Sequence, residues 1–271
     1  MSVQLEALAD EVFGAAAAQG RAGAQSRREP FGEVVWNPSY PDLFFLNGII
    51  DVVAPTWRAN DVERVLREAM PDIRSFRAYV RDPKTIATLG ASLTASGYHH
   101  EIRVAMVQSF APHPDTPPQG RRGNRAGRAG EFAMLSVDND KRWAAFEESV
   151  RTDTTEHEWT TAMTEQLVAL YRWRAANTPT KFFVAIDGEL PAGHVALFQH
   201  GATAYLHALF TRSGLRRHGV GSALTLAMHD EMRAMGAERL TLQCTDDGYL
   251  PNFYHRLGFR RVGEQQIWSK L

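Results

Sequence analysis

The segment Ala111 to Gly130, in the middle of the chain, carries Pro112, Pro114, Pro117, Pro118, Gly120, Gly123, Gly127 and Gly130 and offers few side chains to bury. Proline removes backbone donors and glycine raises the entropic cost of ordering, so neither a helix nor a strand is expected to run through it. It reads as a solvated linker, with Arg121, Arg122, Arg125 and Arg128 as linker charges rather than a nucleic-acid contact. Folding must then be organised on either side, in residues 1–110 and 131–271, each long enough to bury a core.

Both sides alternate helical and strand periodicities, which predicts an α/β (α+β) fold with a mixed central sheet flanked by helices. In the first, a helix from Val3 to Ala18 precedes a flexible stretch reaching Arg28. Strands follow between Gly32 and Val53 with a tight turn at Asn47-Gly48, then a helix capped by Asn60 and a strand from Ser75 to Val80. A helix from Lys84 to Ser96 stops at Gly97, and a strand from Glu101 to Val107 closes the half. In the second, a strand from Glu131 to Val137 leads to helices at Asp140–Val150 and Glu158–Arg174. The strands Lys181–Ile186, His194–His200 and Ala204–Thr211 come next, then a helix from Val220 to Met235. A strand from Arg239 to Thr245, a short helix from Pro251 to Leu257 and a last strand ending near Trp268 complete the chain.

Charge narrows the function classes. The 30 Lys and Arg balance 31 Asp and Glu, so no net field draws the protein to nucleic acid or to an anionic membrane. Apolar runs fall short of the roughly 18 residues that a membrane span needs. Cys244 alone makes neither a disulfide nor a thiolate metal cluster, and no metal is expected. With Glu6, Asp10 and Glu11 interrupting any signal-like apolar stretch, a cytoplasmic location is expected. Nothing in the sequence bears on oligomeric state.

The chemistry concentrates in Leu209-Phe210-Thr211-Arg212-Ser213-Gly214-Leu215-Arg216-Arg217-His218-Gly219-Val220-Gly221-Ser222. A strand enters a glycine-containing turn and then an amphipathic helix, so free backbone N–H groups and the positive end of the helix dipole converge. That is an anion cradle. Gly219 and Gly221 allow close approach to a pyrophosphate, and Arg216, Arg217 and His218 add side-chain charge.

Some thirty residues later comes Tyr254-His255-Arg256-Leu257-Gly258-Phe259, a tyrosine four residues ahead of a Gly-Phe pair that ends a helix and begins a strand. Arg216-x-x-Gly219-x-Gly221 followed by Tyr254-x-x-x-Gly258-Phe259 resembles the GNAT superfamily of acyl-CoA-dependent N-acyltransferases, over about residues 131–271. The resemblance implies that acetyl-CoA is the co-substrate and an amine the acceptor. Leu209, Phe210, Thr211, Arg216, Arg217, His218, Gly219, Val220, Gly221 and Ser222 would bind the cofactor. The strand ending at Thr211 would splay from Arg239–Thr245 so that the pantetheine arm fills the gap. Asp247 stands where many members carry an asparagine, and is read as a helix cap rather than a cofactor contact.

The resemblance also implies direct attack of the amine on the thioester, with Tyr254 as general acid toward the leaving sulfur. Family members often place a carboxylate base on the strand before the cradle. Here that strand has no acid and offers His207, with His194 and His200 behind it. Cys244 is expected to be a small core residue, not a nucleophile. Transfer of a longer acyl or an aminoacyl group, or a non-catalytic acyl-CoA sensor, are the alternatives.

The first half repeats the second in outline. Ala91 to Tyr98 is again a helix end, a Gly-aromatic junction and a strand start, but Leu93 stands where Tyr254 does and no Arg-x-x-Gly-x-Gly precedes it. It looks like a degenerate GNAT-like copy, the alternative being another α/β domain, and is expected to shape the substrate pocket without binding cofactor.

Overall fold

The computed structural model describes residues 3–109 and 132–270. The proline- and glycine-rich linker lies outside them. The strands are β1 (Gln25–Glu29), β2 (Gly32–Trp36), β3 (Gly48–Ile50), β4 (Phe76–Val80), β5 (His99–Ser109), β6 (Ala133–Ser136), β7 (Thr180–Asp187), β8 (Leu190–His200), β9 (Thr203–Thr211), β10 (Arg239–Thr245) and β11 (Arg260–Lys270). The helices are α1 (Val3–Arg21), α2 (Ala59–Ala69), α3 (Pro83–Thr85), α4 (Ala91–Ala95), α5 (Asp140–Glu156), α6 (Thr161–Asn177), α7 (Val220–Ala234) and α8 (Tyr249–Arg256). A π-turn over Ile86–Gly90 joins α3 to α4, so the helix expected from Lys84 to Ser96 is continuous but locally widened.

All the strands form one sheet in the order β1-β2-β3-β4-β11-β5-β10-β9-β8-β7-β6. Read outward from the antiparallel β11–β5 pair, the two sides mirror each other, and each contains a parallel pair in the same place, β3–β4 and β9–β10. The chain is thus two similar halves about an approximate twofold axis. The expectation that the strand ending at Val107 closes the first half is corrected: β5 crosses over to pair with β10, and the last strand, β11, pairs with β4. Each half lends its final strand to the other.

Alternation within β5 and β11 sorts the helices into layers. Val104 and Met106 share a core with α7 and α8, and Trp268 of β11 shares another with α2 and α4. Ala105, Val107 and Val262 point the other way, onto Val12 and Phe13 of α1. Beside α1, the helices α5 and α6 pack Phe146, Val150, Leu167 and Leu170 over Phe182, Val184 and Ala196. Leu43 and Leu46 of the first half enter that same cluster, and Asp42 and Gln166 hydrogen-bond each other reciprocally across it.

Local expectations need three corrections in the first half. Gln25 to Arg28 is strand, not flexible chain: it is the edge of a hairpin, largely exposed, so polar side chains hid the pattern. Asn60 lies inside α2, whose entry is held by Asp61 accepting the Arg58 N–H. Asn47-Gly48 is no hairpin turn. The Asn47 side chain accepts from the Asn37 N–H and donates to the Leu43 carbonyl, pinning a loop that contains the 3₁₀ turn Phe44–Leu46, while Gly48 opens β3. A Cβ at Gly48 would come within 2.0 Å of the Arg77 carbonyl oxygen, so only glycine permits β3 to pair with β4 there.

Candidate active site

The site begins with an interrupted strand pair. β9 and β10 pair in parallel from Thr203–Arg239 to Leu206–Leu242, and no further, although β9 continues to Thr211 and β10 to Thr245. The cause lies on the other edge of β9. Its register with β8 slips between His194 and Ala196, opposite Ala208, which has a φ of +53°. A bulge bends its strand and sharpens the twist, here turning the end of β9 away from β10. The first half has a similarly short parallel pair without a register slip against β2: β3 pairs with β4 at Gly48–Arg77 and Ile49–Ala78, and Asp51 just beyond has a φ of +53°.

Past Thr211 the chain makes a 3₁₀ turn, Ser213–Leu215, and then Arg217 (φ 68°) and Gly219 (φ 91°) adopt left-handed conformations that turn it into α7. The first turn of a helix has no internal acceptors for its N–H groups, and among the described residues no side chain caps α7. Gly219, Val220, Gly221 and Ser222 line a cleft of about 600 Å³ together with Leu209, Phe210, Thr211, Arg216 and Arg217. A Cβ on Gly221 would lie 3.2 Å from Thr211 Oγ1 and 3.6 Å from Phe253 Cζ, in the floor of that cleft. His218, expected to contribute charge, is exposed and is not among the lining residues.

Residues that the sequence did not assign to the site complete the cleft: Asp153 from α5, His157 just past its end, Leu215 from the 3₁₀ turn, and Tyr249, Leu250, Phe253 and Arg256 from α8. Glu156 ties α5 to the turn, accepting the Ser213 N–H at 2.9 Å and holding Arg216 Nη2 at 2.5 Å. Burial pushes the Asp153 carboxyl up to about 6, with His157 pulling back the other way. Asp153 Oδ2 lies 3.6 Å from His194 Nε2, and His194 Nδ1 meets Ser149 Oγ at 2.9 Å. Burial lowers His194 to about 3, so at neutral pH it is an uncharged imidazole bound to Ser149, 1% exposed. His200 lies exposed at the far end of β8 and belongs to neither cavity. Asp247 accepts the N–H groups of Tyr249 and Leu250 and so holds the start of α8.

Tyr254 sits on α8 in the core that contains Leu206, Leu242 and Cys244, where β9 and β10 part. Its ring packs edge-on against Phe253 and Phe259, at 5.0 and 5.7 Å between centroids. Among the described residues its hydroxyl has no hydrogen-bond partner, and burial pushes the phenol well above its usual pKa, so it carries its proton. Tyr254 is not a wall of the 600 Å³ cleft; its neighbour Phe253 is. Cys244 is a buried core residue whose thiol burial pushes up to about 12.

His207 faces the opposite side of the sheet. It lines a second cavity, of about 260 Å³, closed by α1, α6 and both halves of the sheet, with Ala208 and Gln243 at the parting of β9 and β10 and Asn47, Asp51 and Arg77 across from them. Its Nε2 is buried without a partner. Burial, then the positive charge of Arg174, lowers its pKa to about 3. The bulge at Ala208 therefore lies between two spaces: the cleft at the start of α7 on one face, and a small polar cavity lined by His207 on the other.

The fold aligns with a functionally unknown conserved protein from Staphylococcus epidermidis at 10% identity, covering 91% of this chain and 94% of that one, with a TM-score of 0.64. A GCN5-related N-acetyltransferase from Kribbella flavida aligns at 15% identity over 97% and 95% of the two chains, with a TM-score of 0.60. A tandem GNAT protein from the clavulanic acid biosynthesis pathway aligns at 16% identity over 96% and 94%, with a TM-score of 0.56. No curated protein matches the sequence. The model of the acetyltransferase (GNAT) family matches residues 141–259, the stretch that builds the cradle, the parted strands and Tyr254, and this part of the chain is a GNAT acetyltransferase domain.

Proposed function

We propose that the protein transfers the acetyl group of acetyl-CoA to an amine. One observation carries the reading: β9 and β10 stop pairing beyond Leu206–Leu242, and the start of α7, without a side-chain cap among the described residues, lines a cleft together with the unpaired end of β9. Unpaired strand edges can hydrogen-bond a pantetheine arm as an added strand, and the α7 N–H groups with Arg217 and Arg256 can hold its phosphates. Arg216 is already paired with Glu156, so it contributes less charge than its sequence position suggests.

The chemistry then follows from the two faces of the gap. The amine, entering from the His207 cavity, attacks the thioester carbonyl through its nitrogen lone pair. As the carbon–sulfur bond breaks, the Tyr254 hydroxyl gives its proton to sulfur, and the proton released by the amine passes to His207 or to water. An alkyl ammonium must first shed a proton, since its ordinary pKa is about 10.4. The arrangement needs no covalent enzyme intermediate, and the buried, protonated Cys244 is unsuited to form one. Both halves wall the acceptor cavity, which gives the first half a role in substrate choice.

The test is a panel of amines with acetyl-CoA, followed by release of free thiol. Amine-dependent, saturable release is expected. Absence of release across the panel, with no acetyl-CoA binding by calorimetry, would overturn the reading.

A further inference from the structure

The 260 Å³ cavity is built for more than an amine. Its most buried charged wall is Arg174, 1% exposed, whose Nη2 donates to the Gln19 carbonyl at 2.8 Å and whose Nε has no partner. No carboxylate pairs with Arg174 among the described residues. The other two lining arginines differ: Arg77 and Arg103 share Glu101, at 3.2 and 3.3 Å. The lining carboxylate, Asp51, is itself held by Arg81 at 3.4 Å. A buried guanidinium without a counter-charge costs several kcal/mol unless something answers it.

Unspent donors gather around the same space. Arg103 Nε and His207 Nε2 are buried without partners, and the hydroxyls of Tyr79, Tyr171 and Tyr205 make no hydrogen bond among the described residues. Buried polar groups are ordinarily satisfied, so several left open around one cavity mark a ligand that supplies acceptors. Arg81 also pairs with Asp10 at 2.6 Å, so four guanidiniums (Arg77, Arg81, Arg103 and Arg174) face three carboxylates (Asp10, Asp51 and Glu101), and one positive charge is left over. A carboxylate brings one negative charge and two coplanar acceptors, which an arginine fork matches, whereas a phosphomonoester would bring between about 1.5 and 2 charges. The volume lies just below the range of about 300–1,000 Å³ usual for small-molecule sites. An amino acid or another short amino-carboxylate has the right size.

We infer that the acceptor is an amino-carboxylate whose carboxylate docks on Arg174 while its amine reaches the parting of β9 and β10 beside His207. The inference rests on the acyl-transfer reading for the role of the amine, but the carboxylate site stands on the cavity alone. A seated carboxylate also counters the Arg174 charge that depresses the basicity of His207, so the acceptor would prepare its own proton acceptor.

Paired probes test this on the unaltered protein. With acetyl-CoA, γ-aminobutyrate is compared with propylamine and phenylalanine with phenethylamine, and benzoate is titrated against benzyl alcohol by calorimetry. At least one amino-carboxylate should exceed its carboxylate-free partner at least tenfold in kcat/KM, and benzoate should bind where benzyl alcohol does not. Arg174→Gln should erase the preference through KM with acetyl-CoA affinity unchanged, and Arg174→Lys, which keeps the charge, should restore part of it. Equal or better turnover of the plain amines, without benzoate binding, overturns the carboxylate site and leaves acyl transfer intact. Benzoate binding without turnover of any amine does the reverse.

Discussion

The two halves carry the same frame with opposite finish. In each, a parallel strand pair parts at a residue with φ of +53°, Asp51 in the first half and Ala208 in the second. In each, a helix ends in the same closing motif: Tyr98 N–H bonds the Leu93 carbonyl and Gly97 N–H that of Thr94, as Phe259 N–H bonds Tyr254 and Gly258 N–H bonds His255. The difference is in what happens to the donors at the helix that follows the parting. At α2 they are spent inside the protein: Arg58 N–H goes to Asp61, Ala59 N–H to Ser92 Oγ and, upstream, Ala54 N–H to Thr85 Oγ1. At α7 no side chain among the described residues takes them. A helix N-terminus can bind anions only while its donors are unclaimed, so the same frame leaves these donors open in one half and spends them inside the protein in the other.

The largest test of this contrast is at the cradle. Gly221→Asp places a carboxylate against Thr211 and Phe253, where phosphate oxygens would lie, and should lower acetyl-CoA affinity more than a hundredfold in calorimetry while circular dichroism stays native. Unaltered protein should bind one acetyl-CoA per chain. A ratio of two, or unchanged affinity in the variant, would erase the distinction between the halves.

Next in size is the pair Tyr254 and Leu93, which share a place in their closing motifs. Tyr254→Phe keeps the packed ring and removes the proton, so kcat should fall at least about tenfold with little change in acetyl-CoA binding, the mark of a transition-state interaction. Leu93→Ala should instead cost roughly 2–5 kcal/mol of stability, since it empties a fully buried site, and leave the kcat of the folded fraction in place. A kinetic effect without destabilisation at Leu93, or the converse at Tyr254, would break the assignment.

The smallest effect concerns acid. His194 and His207, both of the second half, have pKa values of about 3 when folded against 6.5 as ordinary histidines, so below pH 6.5 the unfolded chain binds protons that the folded one refuses. Asp153, raised to about 6 from 3.8, acts the other way and takes up a proton on folding. Two histidines outweigh one carboxyl, and stability should fall as pH drops from 6.5 toward 4. Urea midpoints at pH 7 and pH 5 would measure this, and His194→Gln should reduce the difference. Equal midpoints would mean that these histidines are not held neutral.

How much of this the sequence disclosed depends on how local each cause was. The strand-turn-helix from Leu209 to Ser222 and the Tyr254 to Phe259 junction depend on glycines and periodicities within a few residues, and both were legible. Asp247 as a cap was legible for the same reason. The exchange of β5 and β11 was not, because edge pairing between distant strands leaves no mark on either one. Asp153 and His157 were invisible as cleft residues, since they sit in the last turn of α5 and just past it, some sixty residues before the turn they face. Arg174 read as the end of an ordinary helix; only the tertiary fold shows that its charge is buried. His207 was reached by elimination along its own strand, which could not reveal that it faces the cavity away from the cradle.

The exchange of final strands also governs the order in which the protein can be made. One edge of β4 pairs with β3, but the other is covered by β11, whose pairing with it runs from Gln266 to Lys270. Synthesis proceeds from the N-terminus, so the first half emerges with one edge of β4 open and its sheet incomplete. Such an edge is a template for wrong partners until the correct one arrives. Neither half can finish alone, and a nascent chain that stalls anywhere before Arg260 leaves β4 and β5 without the strand that joins them. Completion of the eleven-residue strand β11 is the event that commits both halves, which makes that strand the latch for everything synthesised before it.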